Sequence, residues 1–143
     1  MESAAREASK IMDEAQADAF LTEEYKRRRT QQHGSGHATP VGKYFPPIRP
    51  LQCYDGFRFS LQAGENHYCS PRSWDPHVWT EWELGYPSAP EPRLAPWAED
   101  ASSLTDTVYA RVPSSVIAEI IEAHGGLMGR DPLEELRSKV SER

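Results

Sequence analysis

Long apolar runs are missing from this sequence. No stretch approaches the roughly 20 consecutive apolar residues that a membrane-crossing helix needs, so a soluble chain with no membrane contact is expected. The opening MESAAREASKIMDEAQ carries acids and no apolar h-region, which argues against a secretory signal. Cysteine is scarce. Cys53 and Cys69 are too few for a disulfide framework and predict free thiols in a reducing compartment. A phosphate-cradling glycine loop is also absent: Gly34-Ser35-Gly36 lacks the flanking strand and helix that such loops need, and no cofactor is expected. Apolar residues make up only 38% of the 143, with 12 prolines and 9 glycines, so the compact core should be smaller than the chain.

An excess of cations is the last absence. The net charge is −6, and it is unevenly placed. Residues 1–50 hold eight basic and seven acidic side chains, whereas residues 51–143 hold eight and fifteen. An acidic body argues against nucleic acid as a partner, because neutralising phosphates takes Lys and Arg. Lys26-Arg27-Arg28-Arg29 is a local exception; a solvated helix end, where cations suit the macrodipole, is the favoured reading over a phosphate contact.

What is present divides into four segments. Residues 1–29 read as an amphipathic helical arm, helical over 3–29, with Ala4, Ala8, Ile11, Met12, Ala15 and Ala19 on one stripe. That stripe is narrow and alanine-rich, which suits a lightly docked arm or a face for another chain. Phe20, Leu21 and Tyr25 drift off it. Residues 30–50 read as a linker and an extended, proline-stiffened lead-in. Residues 51–126 form the core. Asp55-Gly56 signals a type I′ hairpin turn ahead of a strand with Phe57, Phe59 and Leu61 on one face. HYC reads as a strand stopped by Ser70-Pro71. VWTEWELGY alternates, with Val78, Thr80, Trp82, Leu84 and Tyr86 on one side and Trp79, Glu81 and Glu83 on the other. A long proline-rich loop over 87–107 follows, then a strand at 108–112. The helix SSVIAEIIEAH carries the strongest apolar stripe, Val116, Ile117, Ile120 and Ile121, and Gly125 is its stop. Residues 127–143 read as a C-terminal helix announced by Asp131-Pro132-Leu133-Glu134. The class is α+β: a small, mostly antiparallel sheet of three to five strands covered by one helix, with helical extensions at both ends.

The stretches DGFRFSLQAGENHYCSPR, WTEWELGYPS, WAED and TDTVYARVPSSVIAEIIEAHGGL together resemble a group of small uncharacterised phage-encoded proteins, over roughly residues 51–128. The resemblance implies a phage or prophage origin and a small accessory gene product in the bacterial cytoplasm. It implies no role for any residue.

Three chemistries compete on residue types. Cys69 as a nucleophile with His67 as its base would need sulfur and imidazole to lean together from positions two apart. The alternative is a buried, inert thiol. A metal set could be drawn from Cys53, His67, Cys69 and His77, although the spacing lacks the tight pairs of structural zinc modules. Finally, Trp79, Glu81 and Glu83, with Trp97 in the long loop, would make an exposed aromatic and acidic surface suited to a protein partner. Arg58, Gln62 and Arg72 could instead line a pocket for a small anionic ligand. The competing reading has Glu81 or Glu83 paired across strands to Arg58 or Arg111. Taken together these residues favour a protein that works by binding a host or phage protein: a host-takeover or anti-defence factor that blocks a host protein or sequesters a nucleotide. The alternatives are a minor virion component docking, or self-associating, through the N-terminal helix, and a cysteine-dependent enzyme.

Overall fold

The computed structural model describes residues 12–34 and 47–129; the predicted C-terminal helix from Asp131 onward and the arm before Met12 lie outside them. The first helix, α1, spans Glu14–His33. It starts at Asp13, where a reciprocal capping box satisfies two amides: Gln16 N–H donates to Asp13 Oδ1 at 2.8 Å, and Asp13 N–H donates to Gln16 Oε1 at 3.0 Å. It stops at Gly34, whose φ of 92° suits glycine. The helix therefore runs four residues past the predicted end at Arg29, into what the sequence suggested was linker. Gln32 Oε1 accepts from the Arg49 N–H at 2.7 Å and fastens that last turn to the lead-in.

The face that α1 buries is also not the predicted one. Ala15 and Ala19 are exposed, while Ala17 and Leu21 are fully buried and Tyr25 nearly so. Large side chains decide the orientation, because each removes far more apolar surface from water than an alanine. Tyr25 meets Trp79 edge-on at 5.3 Å between ring centroids and Trp82 at 5.5 Å, and its hydroxyl donates to Ala63 O at 3.2 Å. The basic run is equally committed. Arg29 donates to Trp74 O at 2.6 Å and to Asp75 at 3.0 Å, Lys26 to Pro76 O at 2.6 Å, and Arg28 to Met128 O at 2.7 Å; Arg27 and Arg28 both pair with Glu24. These cations pin the helix to the loop before β3 and to the segment after the second helix. The helix is a wall of the core.

The sheet is an antiparallel meander, β1 (Leu51–Gln52), β2 (Arg58–Gln62), β3 (Glu81–Gly85) and β4 (Val108–Pro113), in that spatial order. The β1–β2 turn is one residue longer than a type I′ turn. Cys53 N–H donates to Phe57 O at 2.8 Å, Gly56 N–H to Cys53 O at 2.9 Å, and of the Asp-Gly pair Gly56 alone has a positive φ, 100°. Phe59 and Leu61, and Trp82 and Leu84, point inward as alternation requires; Tyr109 and Val112, three apart, both do so because of a register shift in β4. Helix α2 (Ser114–Ala123) adds Ile117, Ile120 and Ile121 to the same core. This is the predicted covering helix, and α1 packs beside it. Within the long loop a 3-10 helix at Pro92–Trp97 plugs the core with Leu94. At the other edge Leu127 bridges Cys53 and Met128 N–H donates to Gln52 O, so this stretch extends the sheet past β1 and is not helical.

Two predicted strand features fail. HYC is a turn; Ser70 makes an isolated bridge to Glu81. Trp79 lies before β3 and faces inward, fully buried, because its backbone N–H donates to Thr22 Oγ1 on α1 at 2.9 Å.

Candidate functional site

The loop from Ala63 to Ser70 carries the chemistry that the sequence offers most densely. Chain reversal begins at Gly64 and closes when Ser70 N–H donates to Glu81 O at 3.0 Å and Thr80 N–H to Ser70 O at 2.8 Å. Cys69 points inward and is fully buried. Its thiol donates to Gly64 O at 3.3 Å and accepts from Gly64 N–H at 3.3 Å, so it staples the two ends of the loop. Burial pushes this thiol up despite the opposing Gly64 amide and Arg72 charge, and burial also pushes Cys53 up to about 11. A nucleophile needs the reverse.

His67 does not serve that sulfur. Its Nδ1 lies 2.6 Å from Glu83 Oε1. The His67 ring is thus on Glu83 and not on the Cys69 sulfur, and Glu83 pairs neither with Arg58 nor with Arg111. The four metal candidates are likewise dispersed, and among the described residues no three His, Cys, Asp or Glu side chains converge on one ion position. Cys53 sits in the β1–β2 turn and His77 is exposed on the loop before β3. Iodoacetamide should therefore add to both cysteines in denaturant and to neither in the native protein over the same interval, as read by mass spectrometry. A native adduct on Cys69 would restore the nucleophile.

The remaining sequence candidates separate. Trp79 belongs to the core, not to an exposed surface, and Trp97 is half-buried against that core. Gln62 is spent on structure: its amide donates to Ile48 O at 3.1 Å and to Ser60 Oγ at 3.0 Å. Glu81 lines a cavity of about 280 Å³ with Glu14, Asp18 and Ser115, near the start of α2. Arg58 and Arg72 are exposed. Arg58 lies at the far end of β2, where its backbone pairs with Ser88, so Arg58, Gln62 and Arg72 do not converge on one anion pocket.

Three residues outside the predicted candidate set come into view. Tyr68 is 46% exposed, with the Arg72 guanidinium 5.8 Å from its ring centroid. Arg111 sits in a β-bulge: Trp82 pairs with Val112 and Leu84 with Tyr109, so Glu83 alone faces both Ala110 and Arg111. Its φ is 55°, a left-handed conformation disfavoured for an L side chain, and its N–H donates to Tyr68 O at 3.0 Å. No residue-type signal marks such a bulge, since arginine is not a left-handed former. Tyr68, Arg72 and Arg111 thus form one exposed patch beside the His67–Glu83 pair.

His124 is the third addition and has a structural task. Nδ1 lies 2.6 Å from Asp55 and Nε2 2.8 Å from buried Glu91, while the ring stacks on Phe57 at 4.2 Å. Partial burial opposes its charge, but the two carboxylates outweigh it and raise the imidazole above its ordinary value. With both nitrogens occupied it is neither a base nor a ligand; it clamps the end of α2 to the β1–β2 turn and the start of the 3-10 helix.

Compared with protein-family models, with curated proteins and with solved structures, the chain matches none.

Proposed function

We propose that the chain is a small phage-type accessory protein that acts by binding, engaging a host protein through the surface around Tyr68 and blocking it stoichiometrically. One observation carries the reading: an exposed tyrosine flanked by arginines, the residue types that dominate binding hot spots, stands on a loop whose thiol is sealed from chemistry. The nucleotide-sequestering form has less support. Two cavities among the described residues present Glu14, Asp18, Glu81 and Glu122, a poor lining for phosphate. Docking onto a virion neighbour, or onto a second copy, through the helix of residues 14–33 would compete with the chain's own core for Leu21 and Tyr25. Capture of a partner from host lysate by the wild type, with loss of capture in a Tyr68→Ala, Arg72→Ala variant of unchanged melting temperature, tests the proposal.

A further inference from the structure

Four arginines among the described residues are neutralised. Arg27 and Arg28 pair with Glu24, Arg29 with Asp75 and Arg93 with Glu91. Arg72 and Arg111, like Arg49 and Arg58, are not paired in this way. Both are exposed, and among the described residues neither has a carboxylate within ion-pair distance; Arg72 donates only to the Glu65 carbonyl, at 3.3 Å. Of the nearby acids, Glu83 holds His67 and Glu81 lines the cavity beside α2, while exposed Glu65 offers Arg72 its carbonyl and no ion pair. Tyr68 links them: its ring centroid lies 5.8 Å from the Arg72 guanidinium, and its carbonyl accepts from the Arg111 N–H at 3.0 Å. The bulge holds Arg111 in a conformation that glycine would adopt without strain.

We propose that Arg72 and Arg111, with Tyr68 between them, form a docking site for an acidic segment of the partner protein. Its carboxylates pair with the two guanidiniums, and an adjoining apolar side chain packs on the tyrosine ring. The inference rests on the binding reading above and names the chemistry of the partner. A short peptide fits better than a nucleic acid. Two guanidiniums satisfy a pair of carboxylates, whereas an extended polyanion would also meet the acidic body of residues 51–143, with its eight basic and fifteen acidic side chains.

The test uses the full chain and a fluorescein-labelled oligoglutamate peptide with one central leucine, read by fluorescence anisotropy, with labelled oligothymidylate of equal charge as a second probe. The peptide is expected to bind saturably, to weaken with added salt, and to lose about tenfold or more in affinity in Arg72→Ala and in Arg111→Gly. Arg111→Gly is also expected to melt no lower than the wild type, separating the loss of a contact from a loss of fold. Peptide binding that is absent, or indifferent to both substitutions, overturns the proposal; so does tighter binding of oligothymidylate through the same two arginines. If the peptide fails while lysate capture still depends on Tyr68 and Arg72, the surface stands and the acidic class is wrong. If capture fails as well, the binding reading falls with it.

Discussion

Trp79→Ala is expected to lower stability by about 3–5 kcal/mol, the usual cost of deleting a buried tryptophan. For a chain of this size that corresponds to a fall of roughly 10–15 °C in melting temperature. The side chain is fully buried in a three-ring cluster, 5.3 Å from Tyr25 and 5.4 Å from Trp82 between centroids. Its indole N–H donates to Ser73 O at 3.2 Å, so truncation leaves a cavity and also frees a carbonyl. The alanine variant should loosen α1 from the sheet first, because the lost indole is what packs edge-on against Tyr25 of that helix. Trp79→Phe, which keeps a ring in the cluster, should recover much of the loss. A thermal melt decides the point: a surface tryptophan would give a change within about 0.5 kcal/mol.

Removing the imidazole clamp gives the second large effect. His124→Ala is expected to cost about 2 kcal/mol near neutral pH, since it strips two charge-assisted hydrogen bonds and leaves Glu91, 4% exposed, with Arg93 as its remaining ionic partner. The pH dependence follows from the direction of each shift. His124 is raised above 6.5 in the folded chain, so its contribution is fully present below 6.5 and is lost as pH rises through the raised folded value. Glu91 is lowered from 4.5: burial pushes it up, but hydrogen bonds from His124 and Arg93 prevail. Asp55 is lowered from 3.8, first by the Phe57 amide and then by His124. The carboxylate contributions are present above those ordinary values and are lost as pH falls through the lowered ones. Wild-type stability should therefore fall on both sides of a plateau, and denaturant melts of His124→Gln should lack the decline on the alkaline side. A decline of equal size in that variant would assign it to another group.

Alternation and spacing carried the sheet well. Phe59, Leu61, Trp82 and Leu84 face inward as their period of two requires, and Ile117, Ile120 and Ile121 form the buried stripe of α2. Periodicity misled where it weighed position above size. In α1 the alanine stripe gave the tidier pattern, yet Leu21 and Tyr25 set the orientation because they bury more surface. Trp79 was misplaced for a related reason. It continues the alternation of Glu81 and Glu83, but the strand begins only at Glu81, and Thr22 turns the preceding backbone onto the helix. The candidate site was half visible. His67, Glu83 and Arg72 were singled out as residue types, whereas their partners depend on how the 63–70 loop folds back. The left-handed Arg111 and the Asp55–His124–Glu91 clamp join residues up to 69 apart in sequence and leave no local pattern.

Parallel capture from host lysate tests the surface around Tyr68 most directly. Three forms of the full chain are compared: wild type, Tyr68→Ala with Arg72→Ala, and Glu122→Ala beside the cavity between α1 and α2. The same partner should be recovered in equal amount by wild type and Glu122→Ala and lost with the Tyr68 and Arg72 substitutions. Recovery unaffected by those two substitutions but abolished by Glu122→Ala would contradict this assignment and move the binding surface to the helical side of the molecule.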